Sequence, residues 1–162
     1  GPERSDRRPA RPRVAPADPV PRAINRALTD FVPTFSVMGT GQAYAENEAE
    51  YKADIAKIPQ AFEKLEGALK AQSPQGPFFN GAKYSLVDAA YAPFLQRYYY
   101  LDRIKPLGFT EKFPRVTAWA EALLKRPSTP SVPEQAVAGL YGLNVTLRQH
   151  HPSQFISYAT VA

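Results

Sequence analysis

Few side chains in this sequence can carry out chemistry, and their spacing narrows the field further. There is no cysteine, which removes a cysteine nucleophile, a thiolate zinc site, a CxxC redox pair and a disulfide scaffold together. Imidazole comes only from His150 and His151. They are adjacent near the C-terminus, which suits an exposed terminal pair and not a multi-histidine metal site. Glu46, Glu48 and Glu50 fall at a helix start, where carboxylates complement the helix dipole. They read as a solvated first turn and not as metal ligands. Ser85 and Asp88 have the residue types of a nucleophile and an acid, but the Ser-x-x-Asp spacing is that of an N-terminal cap. The serine oxygen accepts from the Asp88 N–H, and the carboxylate reaches back to the Ser85 N–H, so two orphan donors are satisfied. No histidine lies near in sequence to complete a triad.

Aromatic and cationic residues supply the other candidates. Arg97 followed by Tyr98, Tyr99 and Tyr100 has the composition of an interface hot spot, so Arg97 and Tyr98 are candidates for a pocket rim or a partner contact. The competing reading is that these aromatics finish the core with their hydroxyls toward solvent. Phe31, Phe35 and Met38 recur on one helix face, and Phe35 is the candidate wall of an apolar pocket; ordinary core packing explains the same spacing.

The elements that must position these residues are helices. Asp18-Pro19 marks a helix start, with Asp18 as cap and proline in the first turn. Behind it Ile24, Leu28, Phe31, Phe35 and Met38 form one stripe. Pro33 inside that stripe predicts a kink or break, and Gly39-Thr40-Gly41 ends the segment. A second helix begins near Glu46 and runs to about Gln72 on Tyr51, Ile55, Ile58, Phe62, Leu65 and Leu69, with Pro59 another kink candidate. Ser73 to Pro77 is a loop. The third helix follows Ser85 and is nearly uncharged through Leu95, as befits the middle of a core, before ending around residues 102–105. A fourth starts at Phe113-Pro114 and buries Val116, Trp119 and Leu123. A last one is expected from Pro133 to about Gln149. No run alternates as a strand does, so the fold class is all-α, a bundle of about five helices.

Composition bounds the rest. At 162 residues, with 44% hydrophobic and 22% charged, the chain is ordinary globular material, able to bury about 70% of its unfolded surface. The net charge is +5. The first 14 residues hold five arginines against Glu3 and Asp6, so +3 of it lies in a Pro- and Arg-rich arm that lacks aromatic residues. A basic tail of that kind is a solvated linker, not the basic face with stacking partners that a nucleic acid requires. No membrane span is expected, because no stretch approaches the required apolar length of about 20 residues. The arm leaves the compartment open between cytoplasm and an organellar (mitochondrial) matrix, since its Arg-rich character suits a transit-peptide remnant and its two acids do not.

The stretch Gly76-Pro77-Phe78-Phe79-Asn80-Gly81-Ala82-Lys83-Tyr84-Ser85-Leu86-Val87-Asp88, continuing through Ala89-Ala90-Tyr91-Ala92-Pro93-Phe94, resembles the loop and buried central helix of the C-terminal domain of cytosolic glutathione transferases. Ala15 to Pro19 with Arg22 to Arg26 resembles the start of that domain's first helix. Phe113 to Trp119 with Arg126-Pro127-Ser128 resembles its penultimate helix and the turn after it. The motifs cover about residues 15–130 in the family's order. The resemblance implies residues 1–17 as an arm or interdomain linker, 18–150 as the helical domain and 151–162 as a tail.

It also implies what should lie elsewhere. In the family a thioredoxin-like domain precedes this one and carries most of the glutathione site and the activating hydroxyl or thiol. No βαβ pattern precedes Asp18. The expectation is therefore a chain without catalytic residues of its own, binding no cofactor, with glutathione entering only if the thioredoxin-like domain is present. The first functional expectation is a noncatalytic scaffold subunit of a dimer or larger assembly with protein partners. The alternative is the C-terminal domain of a full transferase, supplying the walls of its hydrophobic-substrate pocket.

Overall fold

A computed structural model of the chain describes residues 18–127 and Gln154. Its helices begin where first-turn donors are dispensable or satisfied. Helices α1 (Pro19–Thr40) and α5 (Pro114–Leu124) both carry proline in the first turn, where the missing N–H removes no helical bond. Helix α2 (Glu48–Gln72) is capped by Asn47, which accepts from the Glu50 N–H at 2.9 Å, while Glu50 reaches back to the Glu46 N–H at 3.0 Å. Helix α3 (Leu86–Ile104) follows Ser85. A four-residue helix, α4 (Phe109–Lys112), follows Gly108, whose φ of 81° is left-handed and favours glycine. A short 3-10 helix, Gly41–Tyr44, links α1 to α2. Among the described residues there is no strand, only an isolated bridge between Phe78 and Gly81. The all-helical class holds.

Three details differ from expectation. Asp18 occupies the cap position of α1 with extended backbone, but its side chain makes no capping bond. Pro33 and Pro59 do not break their helices, and α3 likewise continues through Pro93. Pro33 and Pro93 are exposed, as are Thr29 and Ala89, the residues whose carbonyls lose a partner to proline; solvent can serve those carbonyls. Helix α4 was not expected. The expected helix at 133–149, the arm at 1–17 and the tail at 151–162 lie outside the described residues apart from Gln154.

The bundle packs α1 against α2 and α3, and α5 against α2 and α3. Its centre is aromatic. Phe35 of α1 lies 5.6 Å from the Phe62 ring of α2 and 5.2 Å from the Tyr91 ring of α3, and Tyr91 lies 5.3 Å from Trp119 of α5. All four are 1% exposed or less. Each such burial stabilises by about 1.5–3 kcal/mol, and the tilted and edge-on geometries add about 0.5–1.5 kcal/mol per pair.

Two carboxylates fasten the periphery. Glu66, in the C-terminal part of α2, accepts the Arg115 N–H at 3.1 Å and the Val116 N–H at 2.8 Å. A buried acid from another helix thus caps α5, where no local side chain does. The Arg115 guanidinium then turns back to the loop after α2, donating to the carbonyls of Ser73 (3.0 Å) and Gly76. Asp102 holds the α3–α4 turn, accepting from the Leu107 N–H at 3.1 Å and the Thr110 hydroxyl at 3.3 Å.

Candidate functional site

The densest polar cluster of the described residues surrounds the start of α3. The Asp88 carboxylate is wholly buried. One oxygen accepts the Phe79 N–H at 2.9 Å and the Trp119 indole N–H at 2.7 Å. The other accepts the Ser85 N–H at 2.8 Å and the Ser85 hydroxyl at 2.7 Å. Ser85 and Asp88 form a reciprocal capping box. Four donors around two oxygens use the acceptor capacity of the carboxylate, so Asp88 has no lone pair left to take a proton from a substrate. Ser85 is 6% exposed, its hydroxyl proton is directed at Asp88, and both histidines lie outside the described residues. The arrangement anchors a loop and a helix; it does not activate a nucleophile.

The cluster extends to α1. The Ser85 oxygen accepts from Asn80 Nδ2 at 3.0 Å. Asn80 and Asn25 exchange side-chain amide bonds of 2.9 and 3.1 Å, and Gln72 donates to Asn80 Oδ1 at 3.2 Å. A hydrogen-bonded path therefore runs from α1 through the loop and the α3 cap to Trp119 on α5.

The aromatic candidates separate. Phe35 is fully buried in the core. Tyr98 is buried as well, 4.7 Å from the Phe62 ring, while Arg97 is exposed with its guanidinium 5.5 Å from the Phe94 ring. The three share no surface. Adjacent helical residues point about 100° apart, so Arg97 and Tyr98 diverge by construction. The Tyr98 hydroxyl has no hydrogen-bond partner; burial, with Asp102 and Tyr99 nearby, pushes its pKa far above that of a free tyrosine. Tyr99 donates to Thr117 Oγ1 at 3.3 Å and is pushed up to about 12, chiefly by burial. Glu48 and Glu50 are exposed first-turn acids, and no metal-holding group of acids, cysteines or histidines occurs among the described residues.

Sequence reasoning missed Glu66, Asn25 and Asn80, because their distant partners lie across helices that periodicity does not orient; Glu66 meets its partners at 49 and 50 residues, and Asn25 meets Asn80 at 55. On the described surface Val20, Val37 and Leu86 stand out as large apolar side chains, at 69%, 70% and 59% exposure. No helix among the described residues is long and apolar enough to cross a membrane.

A family model described as "Glutathione S-transferase, C-terminal domain" matches residues 48–122, from the start of α2 to near the end of α5. Glutathione S-transferase L1 of Arabidopsis thaliana is 33% identical over 119 residues, covering 70% of this chain and 45% of that protein. A probable glutathione S-transferase of Oryza sativa subsp. japonica is 30% identical over 118 residues, covering 68% and 49%. The solved structure of a Tau class glutathione S-transferase from mango, Mangifera indica, superposes with a TM-score of 0.63 at 26% identity, over 72% of this chain and 54% of that one. The chain spans about half the length of the curated relatives it matches.

Proposed function

The chain belongs to the glutathione S-transferase family as its C-terminal helical domain, and on that premise we propose that it serves as the helical half of a transferase that conjugates glutathione to electrophiles. The observation that carries this reading is the similarity to proteins named as glutathione S-transferases along most of the chain. The same similarity lends nothing to the scaffold subunit first expected from the sequence, and the conjugating reading displaces it.

In this reading the division of labour follows from the residues present. The two buried carboxylates of the described helices, Asp88 and Glu66, are spent on structural N–H groups and are not free to serve as a base toward a thiol. Activation of the glutathione thiol falls to the thioredoxin-like half that the family resemblance implies. This half contributes rigid apolar surface, for which the solvent-facing Val20, Val37 and Leu86 are the candidates. Their exposure also suits a face that another domain covers.

The test begins with the upstream coding sequence, which should encode a thioredoxin-like domain in frame. The complete protein should conjugate glutathione to an aryl chloride, while the 162-residue chain alone should show no heat of glutathione binding. Micromolar glutathione affinity in the isolated chain, or a complete protein inactive on a broad panel of electrophiles, would overturn the proposal.

A further inference from the structure

The loop before α3 combines two demands that produce a chemically vulnerable dipeptide. Gly81 has φ of 101°, a conformation that other residues rarely adopt. The loop is closely packed at Gly76 as well: a Cβ on that residue would stand 2.2 Å from the Ser73 hydroxyl oxygen and 2.5 Å from Gly81 Cα. The preceding position needs a side chain that both donates and accepts. Asn80 Nδ2 gives its two protons to Asn25 Oδ1 and Ser85 Oγ, and Oδ1 accepts from Asn25 and Gln72. Asparagine before glycine satisfies both demands, and of the chain's four asparagines only Asn80 precedes glycine.

We propose that Asn80-Gly81 is a deamidation site which the polar network holds locked, so that its conversion records how often this loop has opened. In the reaction the Gly81 amide nitrogen, deprotonated by hydroxide, attacks Asn80 Cγ. The new C–N bond closes a five-membered succinimide, and the C–Nδ2 bond breaks with loss of ammonia. Water then adds to either imide carbonyl and the ring opens to aspartate or isoaspartate. The net change is water consumed and ammonia released, with no electron transfer. Glycine speeds the closure because no side chain obstructs its nitrogen.

The folded geometry opposes each step. The Gly81 N–H is engaged with the Phe78 carbonyl at 3.1 Å, so it is neither bare nor directed at Cγ. All four hydrogen-bonding positions of the Asn80 amide are occupied, which fixes its torsions away from ring closure. Once formed, the product cannot re-enter the network. A carboxylate at position 80 donates to neither Asn25 Oδ1 nor Ser85 Oγ, and it adds negative charge one hydroxyl away from Asp88.

The experiment ages the purified 162-residue chain at mildly alkaline pH, folded and in guanidinium chloride, and reads aspartate and isoaspartate by peptide mass spectrometry. Unfolded, position 80 should convert ahead of Asn25, Asn47 and Asn144. Folded, it should convert at least about tenfold more slowly, the protection expected of a site reached only through local opening. Asn25→Ala, which removes the reciprocal amide pair, should raise the folded rate about fivefold. Should that variant not fold, Gln72→Ala removes one bond and should raise the rate less. Asn80→Asp, mimicking the product, should unfold at lower denaturant than the parent. Equal folded and unfolded rates overturn the lock, a spared Asn80 in the unfolded chain overturns the site, and an unchanged rate in the variants overturns the role of the network.

Discussion

Replacing Asp88 by asparagine tests how much of the domain depends on one buried carboxylate. The side chain keeps its size and loses one acceptor. If the amide nitrogen takes the place of the oxygen facing Ser85, the serine hydroxyl, which already accepts from Asn80 and the Asp88 N–H, must turn its proton away, and the Ser85 N–H, bonded at 2.8 Å in the parent, then faces another donor. If it takes the other place, the Phe79 N–H and the Trp119 indole both lose their acceptor, which is worse. The first orientation therefore prevails. Its cost is one stranded backbone donor, about 1–3 kcal/mol, the lost bond of a serine hydroxyl free to rotate, and two ionic hydrogen bonds weakened to neutral ones, which together bring the loss to at least about 3 kcal/mol. That is a large share of the 5–15 kcal/mol typical of whole domains. Urea unfolding followed by the fluorescence of Trp119, the only tryptophan, and by far-ultraviolet circular dichroism should show the midpoint falling by about 1–2 M at an unchanged slope. A variant that unfolds at the parent's urea concentration would refute the reasoning, because it would mean the four short bonds to Asp88 contribute nothing net.

Two tyrosines on α3 should respond oppositely to loss of a hydroxyl. Tyr91 donates to the Leu28 carbonyl at 2.6 Å, so Tyr91→Phe should cost about 1 kcal/mol. The Tyr98 hydroxyl has no partner, so Tyr98→Phe should be neutral or stabilising; equal losses in a urea melt would contradict this. Glu66→Gln should cost about 1–2 kcal/mol by weakening the cap of α5. Lys70→Met should cost little, since the 61% exposed lysine is screened by water; the reverse order would place the energy in the ion pair. In alkali the sign follows from Tyr99, raised from 10.0 to about 12 in the folded chain. Between those values the unfolded state has released a proton that the native state retains, so stability is intact below pH 10 and falls toward 12. Ultraviolet titration should show the buried tyrosines ionising late, and ionisation of all nine near pH 10 with the helices intact would count against their burial.

The parts of this fold legible in the sequence are those fixed by neighbours along the chain. Proline in the first turn located α1 and α5, and the Ser85–Asp88 spacing located α3. The apolar steps of α2 placed Ile58, Phe62, Leu65 and Leu69 on one buried face. Misreadings arose where local rules yielded to surroundings. Pro33 kept its helix because it faces water, and Asp18 needs no cap bond because its donors are already reduced by Pro19 and Pro21. Glu66 stands outside the apolar stripe of α2, yet it lies at 6% exposure with partners on α5. Arg97 and Tyr98 diverge for a geometric reason, since sequence adjacency on a helix separates side chains in space, while Phe35 lies buried on another helix.

The four bonds to Asp88 also differ in how far they reach along the chain. The two from Ser85 span three residues and that from Phe79 spans nine, whereas the indole bond spans 31. The short ones can form inside a single nascent segment, before any helix has docked. The last must wait for closure of a much longer loop, with its greater entropic toll. Ser85 should accordingly govern how fast the chain folds, and Trp119 how slowly it comes apart. One carboxylate thus takes part in both the opening and the closing event of folding.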